Sequence, residues 1–516
     1  MNQDFLAQWQ QLKKIARDES VKDLQALFNQ SINRAASLSF EVEDIFVDIS
    51  KNWITPEILL SLTKLADASQ LSEKITHLFT GHNINVTENK PATHTLQRQT
   101  NPPAQMAKDR AKMFEVALNY SSGQWLTAFN KPVETVVNIG IGGSYLGPKI
   151  AIQALTDLQM KSKVKVLYFA SIDDVRLQAI VHTTDIERTL FCISSKSLGT
   201  IETLKNANAI KELLEKKNNY QPNKMNQSFV IATANNKRAS EFGVPESHVL
   251  PFDNATGGRF SVWSSIGFPL LMAIGEKGFL SFLAGAEKMD KHFKEADFNQ
   301  NLPVLMAMVS IWYRNFMHLT AYAVIPYDAN LKHLPAWLQQ LMMESNGKMH
   351  DVNGEHVDVS TSPWLFGDHG QLSQHAFFQA FHQSKDVLPI DFIGVLGPQT
   401  ESKKYLLINM LAQSAALMNG SDHDEKQFNC PGNRPSTTIL LKELTPSSLG
   451  QLLAMYEHMI YVQSVIWNIN CFDQPGVELG KTIARNIVEH IQDDTLEEVH
   501  LDKSTQQLLA KVLEHE

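Results

Sequence analysis

Glu344 stands near the end of His333-Leu-Pro-Ala-Trp-Leu-Gln-Gln-Leu-Met-Met-Glu-Ser-Asn-Gly-Lys348, a segment whose spacing predicts a helix with Pro335 near its start and Asn346-Gly347 as its stop. In the last turn the helix dipole disfavours negative charge, and a carboxylate destabilised there is suited to accepting a proton as a general base. The plainer alternative is a solvated glutamate paired with Lys348 at i,i+4 spacing. His375 lies in Gly367-Asp-His-Gly-Gln-Leu-Ser-Gln-His-Ala-Phe-Phe-Gln-Ala-Phe-His382 and is predicted at the start of an aromatic-rich helix. Imidazole suits proton transfer at physiological pH, although a histidine that merely packs or caps fits the same pattern. Arg259 is the single charge in Gly257-Gly-Arg-Phe-Ser-Val-Trp-Ser264, where two glycines let the backbone approach a ligand or another chain closely. It could equally anchor a structural carboxylate. Lys481, closing Asp473-Gln-Pro-Gly-Val-Glu-Leu-Gly-Lys481, reads by itself as a solvated lysine. His350, His356, His369 and His375 invite a metal reading, but no HExxH or recurring ligand spacing supports one.

Two further stretches could hold an anion. In Thr135-Val-Val-Asn-Ile-Gly-Ile-Gly-Gly-Ser-Tyr-Leu-Gly147 a β-branched run meets a glycine corner at Gly140, Gly142 and Gly143, and helical spacing follows. Such a corner aims N–H groups and a helix start at one point, with the Ser144 hydroxyl beside them, so a phosphate is the expected guest. A dinucleotide fingerprint would want glycine where Tyr145 stands. A nucleotide P-loop would want Lys-Ser or Lys-Thr where Pro148 stands. A strand-to-helix turn with no ligand is the plainer alternative. Ser194-Ser-Lys-Ser-Leu-Gly-Thr200 follows another buried strand and precedes a helical run, the place where open α/β sheets bind ligands. A helix cap would need one hydroxyl, and this loop has four.

These segments must be carried by alternating strands and helices. Val164 to Ala170, Thr189 to Ile193, Ser228 to Thr233 and His248 to Phe252 are short apolar runs with helical segments between most of them, which implies a parallel sheet covered on both faces. Ala321 to Pro326 and Val387 to Leu396 are strand candidates of a second α/β region, where Gly394-Val-Leu-Gly-Pro398 faintly echoes the first corner. Ser447 to about Asn468 is apolar nearly all round and should lie in a core or a subunit interface. Residues 1 to about 80 read as amphipathic helices, and Asn101-Pro-Pro103 is the clearest break before the glycine corner.

Bulk properties narrow the function. A chain of 516 residues suffices for two or more domains, and 43% hydrophobic with 20% charged residues is a soluble globular composition. The net charge of −9 argues against a general nucleic-acid binder. No signal peptide is expected from Met1-Asn-Gln-Asp-Phe, and the longest uncharged stretch, Tyr405 to Ser421, falls short of the ~20 apolar residues a bilayer span needs. Three scattered cysteines, Cys192, Cys430 and Cys471, suggest reduced thiols in a cytoplasmic protein.

Taken in order, Asn138 to Pro148, Ser195-Lys-Ser197, Gly257 to Ser264, Gln340 to Lys348, Gln374-His-Ala-Phe377, Gly432-Asn-Arg-Pro435 and Phe472 to Lys481 resemble the glucose-6-phosphate isomerase family of the sugar-isomerase-domain type. The resemblance runs from about residue 85 to 485. It implies an α/β fold of two doubly wound, mostly parallel-sheet sugar-isomerase (SIS) subdomains with N- and C-terminal helical extensions. Residues 1–107 would be a helical segment packing on the larger domain, 108–275 the first subdomain with the phosphate cradle, and 276–516 the second with the C-terminal helices. It implies aldose–ketose isomerisation through a cis-enediol, serving glycolysis and gluconeogenesis. Glu344 would move the proton, Arg259 would stabilise the enediolate oxygen, and His375 with Lys481 would assist ring opening. Gly143, Ser144, Ser195, Lys196, Ser197 and Thr200 match phosphate-binding positions, and Gln340 matches a sugar-contacting glutamine. No metal or other cofactor is implied, and no nucleic acid or membrane. The implied assembly is a homodimer in which His375 acts across the interface.

The chain departs from the family pattern at Ser171-Ile-Asp-Asp-Val175, at Leu198-Gly199, at Asp368 and at Lys90-Pro91. These positions bear on loop geometry and substrate affinity, and they leave every implied catalytic side chain in place. A competing class is a sugar-phosphate-binding regulator without turnover, but binding alone would need only the cradle. A broadened isomerase that also accepts mannose 6-phosphate is a further alternative.

Overall fold

The apolar runs become strands of two sheets in the computed structural model, which describes residues 3–162, 164–217, 222–493, 495 and 499–514. The strands in chain order are β1 Ser39–Val42, β2 Ile45–Asp48, β3 Thr135–Ile139, β4 Lys165–Phe169, β5 Thr189–Ser194, β6 Phe229–Thr233, β7 Val249–Pro251, β8 Ala321–Pro326, β9 Trp364–Phe366, β10 Ile390–Gly397 and β11 Ser436–Glu443. The first sheet has the order β4-β3-β5-β6-β7 and is parallel throughout. Every residue of β3, β5 and β6 is buried, which is why these strands read as continuous apolar runs and not as alternating ones. The second sheet has the order β1-β2-β11-β10-β8-β9, with β11, β10, β8 and β9 parallel.

The N-terminal region differs from the helical reading. Helices form at Gln3–Ile15, Leu24–Gln30, Pro56–Ala68 and Leu71–Thr80, but the hairpin β1–β2 interrupts them and pairs antiparallel with β11. Two four-residue strands are too short for a clear period, and the pairing of β2 with β11 joins the N-terminal region to a strand far along the chain.

The helix Pro446–Trp467 is buried on all sides, as its composition requires. It packs against Phe268–Glu295 at backbone distance: a Cβ on Gly285 would lie 2.0 Å from the Ser447 carbonyl, and one on Gly450 would lie 2.1 Å from that of Phe282. The stretch Ser265–Glu295 is long and apolar enough to cross a bilayer, yet 61% of its most apolar window is buried inside the fold. The buried carboxylates on this helix pair are partnered: Arg98 donates to Asp290 and Glu457, and Trp263 Nε1 donates to Glu457 at 2.9 Å. A second compact unit, Phe472–Glu516, holds the helices Gly476–Gln492 and Lys503–Leu513.

Asp391, on β10, shows what an isolated carboxyl costs in this core. Tyr322 Oη and Tyr456 Oη both donate to it, but burial raises its pKa to about 7. A carboxyl whose folded pKa exceeds the unfolded one contributes stability in full below the unfolded pKa and loses it as pH rises through about 7. Asp391→Asn keeps an acceptor for the tyrosines and removes the titration. Its melting temperature relative to the parent should therefore climb between pH 5 and pH 8, each pKa unit being worth about 1.4 kcal/mol. A gap independent of pH would show that Asp391 does not titrate in this range.

Candidate active site

β3 ends at Ile139 and the chain turns through Gly140-Ile-Gly142 into the helix Gly143–Ala154. Gly142 adopts φ 58° and ψ −128°, a region open essentially to glycine, and a Cβ there would stand 3.0 Å from Gln340 Nε2. At Gly143 a Cβ would lie 2.0 Å from the Gly258 carbonyl and 2.6 Å from the Arg259 amide. The corner is therefore pressed against the Gly257–Ser264 block on one side and Gln340 on the other. Tyr145 and Leu146 both donate to the Gly142 carbonyl, while the amides of Gly143 and Ser144 have no acceptor within the helix.

The loop after β5 is held by its backbone. Ser195 N donates to Ala232 O, Thr233 Oγ1 and Ala234 N donate to Lys196 O, and Arg238 Nη1 reaches the carbonyls of Ser197 and Leu198 at 3.4 Å. The hydroxyls are spared. Thr200 occupies the N-cap of Ile201–Glu215 without a side-chain capping bond, whereas Thr55, Thr400 and Thr445 make theirs. Ser195 Oγ is buried and has no hydrogen-bond partner among the described residues. Burial lowers the Lys196 pKa, with Lys90 and Arg259 acting in the same direction and Glu88 and Asp253 opposing. At the Leu198-Gly199 departure, a Cβ on Gly199 would fall 2.3 Å from Arg238 Nη1, so the glycine leaves room for the guanidinium that holds the loop.

Glu344 sits at the end of a π-helical turn, Gln340–Glu344, that continues the helix Leu334–Gln339. Such turns are rare and cluster at functional sites. Its side chain is 19% exposed, and Oε1 lies 3.6 Å from Arg259 Nη1. Arg259 is itself buried and donates from Nε to Ser345 Oγ at 2.6 Å and from Nη2 to the Cys471 carbonyl. Lys348 Nζ donates to the main-chain carbonyls of Glu344 and Ser345 at 2.9 and 2.7 Å, offsetting the negative helix end that the sequence pattern exposes. Glu344 is thus half-buried beside Arg259, and Lys348 meets its main-chain carbonyl.

The geometry brings Gly143, Gln340, Arg259 and Glu344 into one chain of contacts, and it sets Ser144 beside the loop bearing Ser195, Lys196, Ser197 and Thr200, because β3 and β5 are parallel neighbours. His375 lies elsewhere than at a helix start. It is an exposed C-cap between two short helices, Gly370–Gln374 and Phe378–Gln383, because the chain re-aims there to bury Phe378 and Phe381 in the core around β10. Among the described residues no hydrogen bond or ion pair joins it to Glu344 or Arg259. Lys481 belongs to the second unit, on the helix Gly476–Gln492, where it pairs with Glu478 at 3.0 Å. Sequence reasoning missed Ser345 and Asn346. Asn346 Nδ2 donates to Ile460 O and to Gln463 Oε1, tying the glutamate-bearing turn to the buried helix Pro446–Trp467. Asn346 read only as a helix stop, and nothing local in the sequence signals a partner more than a hundred residues away.

A family model described as Phosphoglucose isomerase matches residues 48–509. The chain is 40% identical to Glucose-6-phosphate isomerase 1 of Chromohalobacter salexigens over 98% of this chain and 94% of that protein. It is 39% identical to Glucose-6-phosphate isomerase of Shewanella pealeana over 98% of this chain and 97% of that one. Among solved structures, a glucose-6-phosphate isomerase from Chlamydia trachomatis superposes with a TM-score of 0.86 at 30% identity, covering 99% of each chain.

Proposed function

The chain belongs to the phosphoglucose isomerase family, and from that premise we propose how its side chains divide the work of the reaction it catalyses, the reversible isomerisation of D-glucose 6-phosphate to D-fructose 6-phosphate. Gly143, Ser144, Ser195, Lys196, Ser197 and Thr200 grip the phosphate through amides, hydroxyls and one ammonium. Gln340, against the glycine corner, holds the sugar. The cyclic sugar has no carbonyl to enolise, so ring opening comes first, assisted by His375 and Lys481 on the strength of the family resemblance. The Glu344 carboxylate then takes the proton from the carbon beside the carbonyl. The C–H electron pair forms the C1–C2 double bond of a cis-enediol(ate) while the carbonyl electron pair moves onto its oxygen, which Arg259 stabilises and which takes up a proton. Glu344 then returns its proton to the neighbouring carbon as the hydroxyl on the carbon that was deprotonated gives up its proton and becomes the new carbonyl.

The observation that supports this reading is the Arg259–Glu344 pair, 3.6 Å apart, with the Arg259 backbone packed on the glycine corner. One base then lies near the group that would stabilise charge, and both are joined to the cradle. A homodimer with His375 contributed across the interface is part of the proposal. Exposure of His375 supports it, as do Ile483, Ile487 and Ile491, which recur every fourth residue on Gly476–Gln492 and form a stripe that needs covering. We assign the enzyme to the cytoplasm, with residues 1–107 as an N-terminal segment and 108–275 and 276–516 as the two subdomains.

The test is turnover of fructose 6-phosphate in deuterated water. Deuterium should appear at C2 of the aldose product, because a carboxylic acid exchanges its proton with solvent during the lifetime of the enediol. Product free of label throughout would rule out a solvent-exchanging carboxylate as the base.

A further inference from the structure

Asn138 is a fully buried amide in a strand whose other residues are mostly aliphatic. Leaving such a group unsatisfied is costly, so its partners explain its presence. Its Nδ2 donates to the Ser144 carbonyl at 2.9 Å, and its Oδ1 accepts from Ser194 Oγ at 2.7 Å. The amide can face only one way, since a carbonyl accepts and so must meet the NH2 group. Ser144 opens the helix after the glycine corner, and Ser194 directly precedes Ser195, whose hydroxyl is buried without a partner. The backbone ladder between β3 and β5 ends at Ile139 and Ile193. Past that point the Asn138 amide ties the two loops together, while the missing side chain of Gly140, whose Cβ would stand 2.9 Å from Ser194 O, allows their close approach.

We infer that Asn138 is a positioning residue that sets the spacing between the glycine corner and the Ser194–Thr200 loop, and through it the affinity for the phosphate group of the substrate. It does not touch the sugar. The inference rests on the proposed reading of these loops as the phosphate cradle.

Asn138→Asp preserves shape but presents a carboxylate oxygen to the Ser144 carbonyl. Ser194→Ala removes the other bond and leaves Asn138 in place. Both are compared with Ser195→Ala, which alters the cradle itself, by measuring kcat, KM for glucose 6-phosphate, inhibition by inorganic phosphate, and thermal melting. Asn138→Asp should raise KM and the phosphate inhibition constant together by ~10-fold, about the worth of one hydrogen bond, with kcat changed little. Ser194→Ala should shift both in the same direction, and the double variant should lose less than the sum of the two. Weakened phosphate binding in Ser195→Ala with normal binding in Asn138→Asp would overturn the inference and leave the cradle standing. Normal phosphate binding in all three would overturn both. A fall in kcat at unchanged phosphate affinity would also overturn it. If Asn138→Asp does not fold, Ser194→Ala decides: unchanged phosphate affinity there overturns the inference.

Discussion

Glu344→Gln should lower kcat by ~10²–10⁴, the range that general acid–base catalysis supplies, while inorganic phosphate inhibits as it does in the parent enzyme. The amide has the shape of the carboxylate and can still lie beside Arg259, so the surroundings need not rearrange. It cannot accept a proton from carbon. The groups proposed to bind phosphate sit at the carboxyl ends of β3 and β5 and on the helices that follow, and the glycine corner meets the turn carrying Glu344 at Gln340, whose side chain the substitution leaves unchanged. The two functions should therefore separate: catalysis lost, anchorage kept. Unimpaired turnover would exclude Glu344 as the base. Loss of phosphate inhibition together with activity would show that the change disturbed the cradle instead.

Arg259→Lys should lower kcat by ~10²–10³, comparable to removing one preorganised donor from an oxyanion site. The guanidinium spans Ser345 Oγ, the Cys471 carbonyl and the Glu344 carboxylate at once, and it does so while buried. An ammonium keeps the charge but carries its three donors on one nitrogen, so it cannot reach three acceptors that Arg259 meets with Nε, Nη1 and Nη2 separately. Arg259→Ala should be slower still and should regain part of its rate when free guanidinium is added, because the missing group then diffuses into the space it left. Arg259→Lys with the parent kcat would remove Arg259 from the transition state and leave it as a structural anchor for the glutamate turn.

Much of the candidate site is legible in the sequence. The glycine corner declares itself because Gly140, Gly142 and Gly143 interrupt a β-branched run, and the backbone at Gly142 is one that a side chain would strain. The hydroxyl-rich loop after β5 declares itself because a cap consumes one hydroxyl and the loop has several. The buried helix Pro446–Trp467 follows from an apolar circumference. The ordered blocks carry the family resemblance, and the family model and the isomerase relatives match the chain along most of its length. By contrast, the helix start expected at His375 became the gap between two short helices, since the burial of Phe378 and Phe381 outweighed the local helical pattern.

The sequence by itself determined the local parts: which runs become strands, where the corner bends, which hydroxyls gather in one loop, and that Glu344 lies in the last turn of a helix. These depend on chain stereochemistry and on hydrophobic period, both of which act over a few residues. Tertiary structure alone decided the partners: Arg259 against Glu344 and Cys471, Asn346 against Gln463, Asn138 bridging two loops, and a hairpin from the N-terminal region completing the second sheet. Those pairings join residues from about fifty to several hundred positions apart, and no local spacing encodes them. They arise because a buried polar group must find its complement wherever packing brings one within reach.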